Sequence, residues 1–179
     1  MTGRLFLHIG PPKTATTALQ YAFEEIAGEA LIYGGTFQPR DRDPSGRRSR
    51  PLEEALTRIR EDVRSGKIVV ISEEMLSLST KASMADKLAF LGRCFAGLPT
   101  TIILCIRDPQ DAIPSLYQEL YRSQPFLMKL SFSRFCRSDA IACYDYRKII
   151  TLLQEAGLDT VRIIGFDWIC SGGLTAREL

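Results

Sequence analysis

The chain has 179 residues, of which 45% are hydrophobic and 25% charged, with a formal net charge of +2. These values suit one soluble globular domain with a sizeable core. So small a net charge demands neither nucleic acid nor an anionic membrane as a partner, and no run of about 18 apolar residues supplies a transmembrane segment.

Met1 leads straight into a strand, with no apolar leader and no small-residue cleavage site. The five cysteines are odd in number and include no Cys-x-x-Cys pair. Both features predict a cytoplasmic protein with reduced thiols and no zinc site.

The first apolar run, Arg4 to Ile9, is bounded by Gly10 and reads as a central parallel strand. After a turn, Leu19, Ala22, Phe23 and Ile26 recur at helical spacing, and Gly28 is the expected stop. Leu31 to Tyr33 is a short strand. Residues 38–50 are polar, rich in arginine and without periodicity, which predicts an exposed loop. Pro51 suits the first turn of a helix carrying Leu52, Ala55, Leu56, Ile59 and Val63, ending before Gly66.

Lys67 to Ser72 is a second buried strand, and it delivers Glu73 and Glu74 at its carboxyl end. Ser83 is placed to cap a helix with Met84, Leu88, Leu91 and Phe95 on one face, stopping near Gly97. Thr100 to Ile106 is a third buried strand ending at Arg107, Asp108 and Pro109. Asp108 is the expected cap of a helix that runs to Arg122, with Pro114 a local disturbance. The aromatics Phe126, Phe132 and Phe135 argue packing between 126 and 143. Tyr144 to Ala156 reads as a helix with Ile149, Ile150 and Leu153 inward. Val161 to Phe166 follows as a strand, and Leu174 begins a last helix.

Strands alternating with helices imply an α/β fold, a three-layer α/β/α domain spanning residues 1–179 around a parallel sheet. Ligands bind such sheets at the carboxyl ends of the strands. Three unusual polar groups fall there: the Gly10–Thr17 turn, the Glu73–Glu74 pair and Arg107. The turn offers free helix-start amides, the Lys13 ammonium and the Thr14, Thr16 and Thr17 hydroxyls, a set that suits a phosphate or sulfate group. Its spacing departs from Gly-x-x-x-x-Gly-Lys-[Ser/Thr], and the third strand ends in an arginine where a Mg²⁺-holding carboxylate would serve ATP.

With these residues the chain resembles the sulfotransferases that use 3′-phosphoadenylyl sulfate (PAPS), of the bacterial and heparan type. Lys13, Thr14, Ala15, Thr16 and Thr17, followed by Leu19 and Gln20, resemble their 5′-phosphosulfate loop. Arg107, Asp108 and Pro109, with Ser115 beyond them, resemble the 3′-phosphate segment, and Glu74 falls at the position of a catalytic glutamate. The similarity runs from Leu5 to about Phe166.

The resemblance implies a P-loop NTPase-like fold and transfer of a sulfuryl group from PAPS to a carbohydrate or small-molecule hydroxyl, with no metal. It implies that Lys13 stabilises the leaving phosphate and that Gly10, Pro12 and the Thr14–Thr17 amides cradle the donor. Arg107 and Ser115 would take the 3′-phosphate, and Glu74 would be the base, with Glu73 as fallback. Ala15 stands where the family has glycine, which requires backbone without positive φ at that position. Members usually continue into a loop that closes over the nucleotide, so the chain reads as C-terminally truncated.

Other readings stay open. A P-loop kinase and a degenerate nucleotide-binding domain share the loop. Arg107 can pair with Asp111, the adjacent glutamates can be a solvated strand end, and His8 is either a core histidine or a catalytic base. Nothing in the pattern fixes an oligomeric state.

Overall fold

The structure is a computed structural model and describes residues 3–35, 50–78, 82–123 and 130–172. Five strands, β1 (Arg4–Ile9), β2 (Leu31–Tyr33), β3 (Ile68–Ser72), β4 (Thr100–Ile106) and β5 (Val161–Gly165), form one sheet in the order β2-β3-β1-β4-β5. All four pairings are parallel, and β1 lies between β3 and β4, with His8 opposite Ser72 on one side and Ile103 on the other. From β1 the chain goes to the edge strand β2, returns to β3 beside β1, then crosses to β4 and β5 on the other side. The carboxyl end of β1 therefore opens at the topological switch, where such sheets bind ligands.

Alternation along each strand divides the side chains between two cores. Leu5, Leu7, Ile9, Val69, Ile71, Ile102 and Leu104 face one layer, where α2 (Arg50–Arg64), α3 (Met84–Phe95) and α6 (Tyr146–Glu155) cover them. Val70, Ile103 and Cys105 face the other, beneath Leu19 and Phe23 of α1 (Thr16–Ile26), with Ile169 of α7 (Phe166–Cys170) packed alongside. Helices thus lie on both faces, as the alternation predicted. A third cluster joins Ala112 and Leu116 of α4 (Pro109–Ser123), Phe135 of α5 (Phe132–Phe135), and Cys143 and Tyr144 of a 3₁₀ turn.

The predicted caps form: Ser83 accepts from the Asp86 N–H, and Asp108 from the Gln110 N–H at 2.8 Å. Boundaries move at Tyr144 and at Phe166. Helix α6 begins at Tyr146 because Asp145 caps it through the Lys148 N–H, leaving Tyr144 in the preceding 3₁₀ turn. Phe166 opens α7 instead of closing β5. Within 126–143 the packing expectation holds: Phe135 is fully buried, and Phe132, 43% exposed, sets its ring edge-on against Tyr117 at 5.3 Å. The arginine-rich stretch up to residue 49, Phe126 and the predicted helix at Leu174 lie outside the described residues.

All five cysteines are free thiols. Among the described residues, no helix is long and apolar enough to cross a membrane.

Candidate functional site

The turn after β1 is shaped by two residues in left-handed backbone, Lys13 at φ 68° and Ala15 at φ 66°. The condition set for Ala15 by the sequence is not met. Its methyl sits in a conformation that favours glycine, at a cost on the order of 1–2 kcal/mol. Left-handed residues alternating with ordinary ones aim successive amides into one concavity, a nest for an anion.

The carbonyls on the outside of the turn are all occupied. Gly10 O accepts from Ser77 Oγ at 3.3 Å, Pro11 O from Thr14 Oγ1 at 2.7 Å, and Pro12 O from the Tyr144 hydroxyl at 2.8 Å. Lys13 O accepts from the Arg107 guanidinium at 3.1 Å. Among the described residues, nothing accepts from the amides of Lys13, Thr14, Ala15, Thr16 or Thr17. The cap position of α1 is Ala15, which has no side-chain acceptor. Strain and unspent donors therefore coincide, as expected where a ligand supplies the missing partners.

Gly10 is required by close approach. A Cβ there would stand 2.7 Å from Thr14 Oγ1, 3.1 Å from His8 Nε2 and 3.4 Å from Thr16 Oγ1. Thr14 is fully buried, its hydroxyl spent on the loop itself, so it offers a ligand only its amide. Thr16 Oγ1 is buried and makes no hydrogen bond of standard geometry, and Thr17 is exposed.

His8 lies beneath the turn, fully buried, with Nδ1 2.7 Å from Ser72 Oγ, which also accepts from Gln20. Burial holds its pKa down to about 4, so the imidazole is neutral near pH 7. Nε2 has no partner and no surface on the site.

The two glutamates are separated by burial. Glu73 is 2% exposed and its charge acts on Lys87, whose ammonium donates to Leu78 O at 2.6 Å. Glu74 is half-buried, on the side of the turn that carries Lys13. Burial, reinforced by Glu119, raises its pKa from the ordinary 4.5, and the nearby Thr16 hydroxyl and Lys13 oppose that rise. Lys13 itself pairs with Glu119 of α4 at 2.7 Å.

Arg107 braces the turn. Besides holding Lys13 O, its guanidinium lies 4.2 Å over the Phe166 ring, in place of an ion pair with Asp111. The Tyr146 hydroxyl donates to Arg107 O at 2.7 Å and accepts from Arg107 N–H at 3.0 Å. Ser115 lines an open hollow with Lys13, Gln118, Glu119 and Arg122, a wall that does not include Arg107. Arg107 thus meets Lys13 at its carbonyl, and Ser115 shares the hollow that Lys13 lines.

Sequence reading missed Glu119, Tyr144 and Tyr146. Glu119 comes one helical turn after Ser115 and so had a signal. The tyrosines had none, because their role depends on which loops the fold brings beneath α6. Among the described residues, no three His, Cys, Asp or Glu side chains cluster as metal ligands.

No family model matches the sequence, and no curated protein matches it. Solved structures resemble the chain at low identity. A mouse sulfotransferase complexed with PAP is 17% identical over 96% of this chain and 54% of its own, with a TM-score of 0.48. YorR from Bacillus subtilis, complexed with phosphorylated GDP, is 13% identical over 91% and 86%, with a TM-score of 0.49. Shikimate kinase from Bacteroides thetaiotaomicron is 15% identical over 92% and 86%, with a TM-score of 0.40. The chain spans about half the length of the mouse enzyme.

Proposed function

We propose that the protein is a cytoplasmic PAPS-dependent sulfotransferase acting on a hydroxyl of a carbohydrate or small-molecule acceptor. The observation that carries this reading is the uncapped start of α1, where unspent amides from Lys13 to Thr17 surround the lysine. Such a nest fits the phosphosulfate end of the donor. The guanidinium at the end of β4, Arg107, favours a donor whose second phosphate needs a cation there.

In this mechanism Glu74 accepts the acceptor's hydroxyl proton as the acceptor oxygen bonds to sulfur. The bond from sulfur to the bridging oxygen breaks, and Lys13 neutralises the charge left on the departing phosphate. The loop amides orient the group and hold its charge through the transfer, so catalysis is chiefly positioning and electrostatic. The raised pKa of Glu74 suits a base that works near neutral pH. His8, neutral and enclosed, keeps the floor of the turn.

Thermal-shift measurements with 3′-phosphoadenosine 5′-phosphate and with Mg·ATP test the donor, and labelled PAPS with a panel of sugars and alcohols tests transfer. Stabilisation by the adenosine bisphosphate is expected. Transfer is expected to fall at least about 100-fold in Lys13→Ala with the fold intact. Stabilisation by Mg·ATP alone, lost with a chelator, would overturn the reading in favour of a kinase. Binding without transfer to any acceptor would leave a non-catalytic nucleotide domain.

A further inference from the structure

Lys13 has its main chain fixed, because its carbonyl is held by Arg107 and its φ is left-handed. Only the side chain is free to turn. It meets Glu119 at 2.7 Å, beside the hollow that Ser115, Gln118 and Arg122 also line. We infer that Glu119 is a positioning residue for the anion loop: its carboxylate holds the Lys13 ammonium until the donor's phosphosulfate displaces it. The inference rests on the sulfotransferase reading and deepens it.

Three observations support this role. The pair is well exposed, Lys13 at 30% and Glu119 at 52%, so water screens it and a multivalent anion can break it. Arg122 follows Glu119 by three residues on the same helix and lines the same hollow. It is a second cation against which the carboxylate can rest once the lysine leaves. Finally, Glu119 acts electrostatically on Glu74, and Lys13 opposes it.

The test is calorimetric titration of the full chain with 3′-phosphoadenosine 5′-phosphate and with inorganic pyrophosphate, comparing wild type with Glu119→Gln and Glu119→Ala. Position 119 is exposed on a helix, so both variants should keep the thermal midpoint. Both should bind each anion about two- to fivefold more tightly at low salt, and the advantage should shrink at high salt, which a purely structural effect would not do. Equal affinities for wild type and variants overturn the inference while leaving donor binding intact. Pyrophosphate binding without nucleotide binding overturns the donor reading, and the pyrophosphate ratio then still decides the role of Glu119. No anion binding by any of the proteins overturns both.

Discussion

Two strand–helix junctions stand side by side at the carboxyl edge of the sheet, and the chain finishes them in opposite ways. Between β4 and α4, Asp108 caps the helix at 2.8 Å, and Tyr146 satisfies both backbone groups of Arg107. Nothing there asks for a ligand backbone contact. Between β1 and α1, the cap position is an alanine in left-handed backbone, and the carbonyls are tied while the amides are not. The first junction meets its Arg107 backbone groups and its helix-start amides from within the chain, and the second leaves the amides of Lys13 to Thr17 without acceptors among the described residues. The two are also joined, since Arg107 reaches across to hold Lys13 O. A self-satisfied junction can thus serve as the brace for an unsatisfied one.

Four substitutions sharpen that contrast. The largest effect is expected for Glu74→Gln, which should lower the transfer rate about 100-fold or more while leaving adenosine bisphosphate affinity near wild type. Glu74 must be ionised to act and its pKa is raised above 4.5, so the wild-type rate should climb with pH through a midpoint above that value. A profile of the variant should lack this limb. Because the folded state favours the neutral form, the contribution of Glu74 to stability fades as pH rises through its folded pKa. Glu74→Gln should therefore be at least as stable as wild type near neutral pH, measured by thermal denaturation.

Gly10→Ala should destabilise by about 1–3 kcal/mol in chemical denaturation, since its methyl meets Thr14 Oγ1 and His8 Nε2. The same change should weaken nucleotide binding by disturbing the nest. Ala15→Gly should act the other way, gaining on the order of 1 kcal/mol by relieving left-handed strain, with binding retained. Asp108→Ala should cost about 1 kcal/mol through the lost cap of α4 and leave nucleotide affinity unchanged. If Asp108→Ala weakened binding as much as Gly10→Ala, the two junctions would not differ in role.

Much of the frame was readable in the sequence because it follows from local pattern. The short apolar runs become β1, β3 and β4 almost at their expected ends, and Ser83 and Asp108 cap the helices they precede. Leu19 and Phe23 are buried, as the period of α1 requires. The misread boundaries had local rivals: Asp145 can cap, so the helix yields Tyr144 to a 3₁₀ turn. Phe132 packs against Tyr117 yet stays partly exposed, because α5 is only one turn long and turns Phe135 into the core.

The candidate site divides in the same way. Gly10, Lys13 and the threonines announce an anion turn by composition and by their place between a strand and a helix. No pattern in the sequence says that Thr14 spends its hydroxyl on Pro11, that His8 is sealed beneath the turn, or that Lys13 rests on Glu119. Those facts need contacts between residues far apart in the chain, such as the one from Tyr144 to Pro12. By itself the sequence determined a parallel α/β sheet and a turn rich in lysine and hydroxyls at its edge, because hydrophobic period, caps and glycine act within a few residues. Only the tertiary structure decided which glutamate is half-buried beside Lys13 and which is enclosed, because burial and opposing charge arise only when distant elements meet.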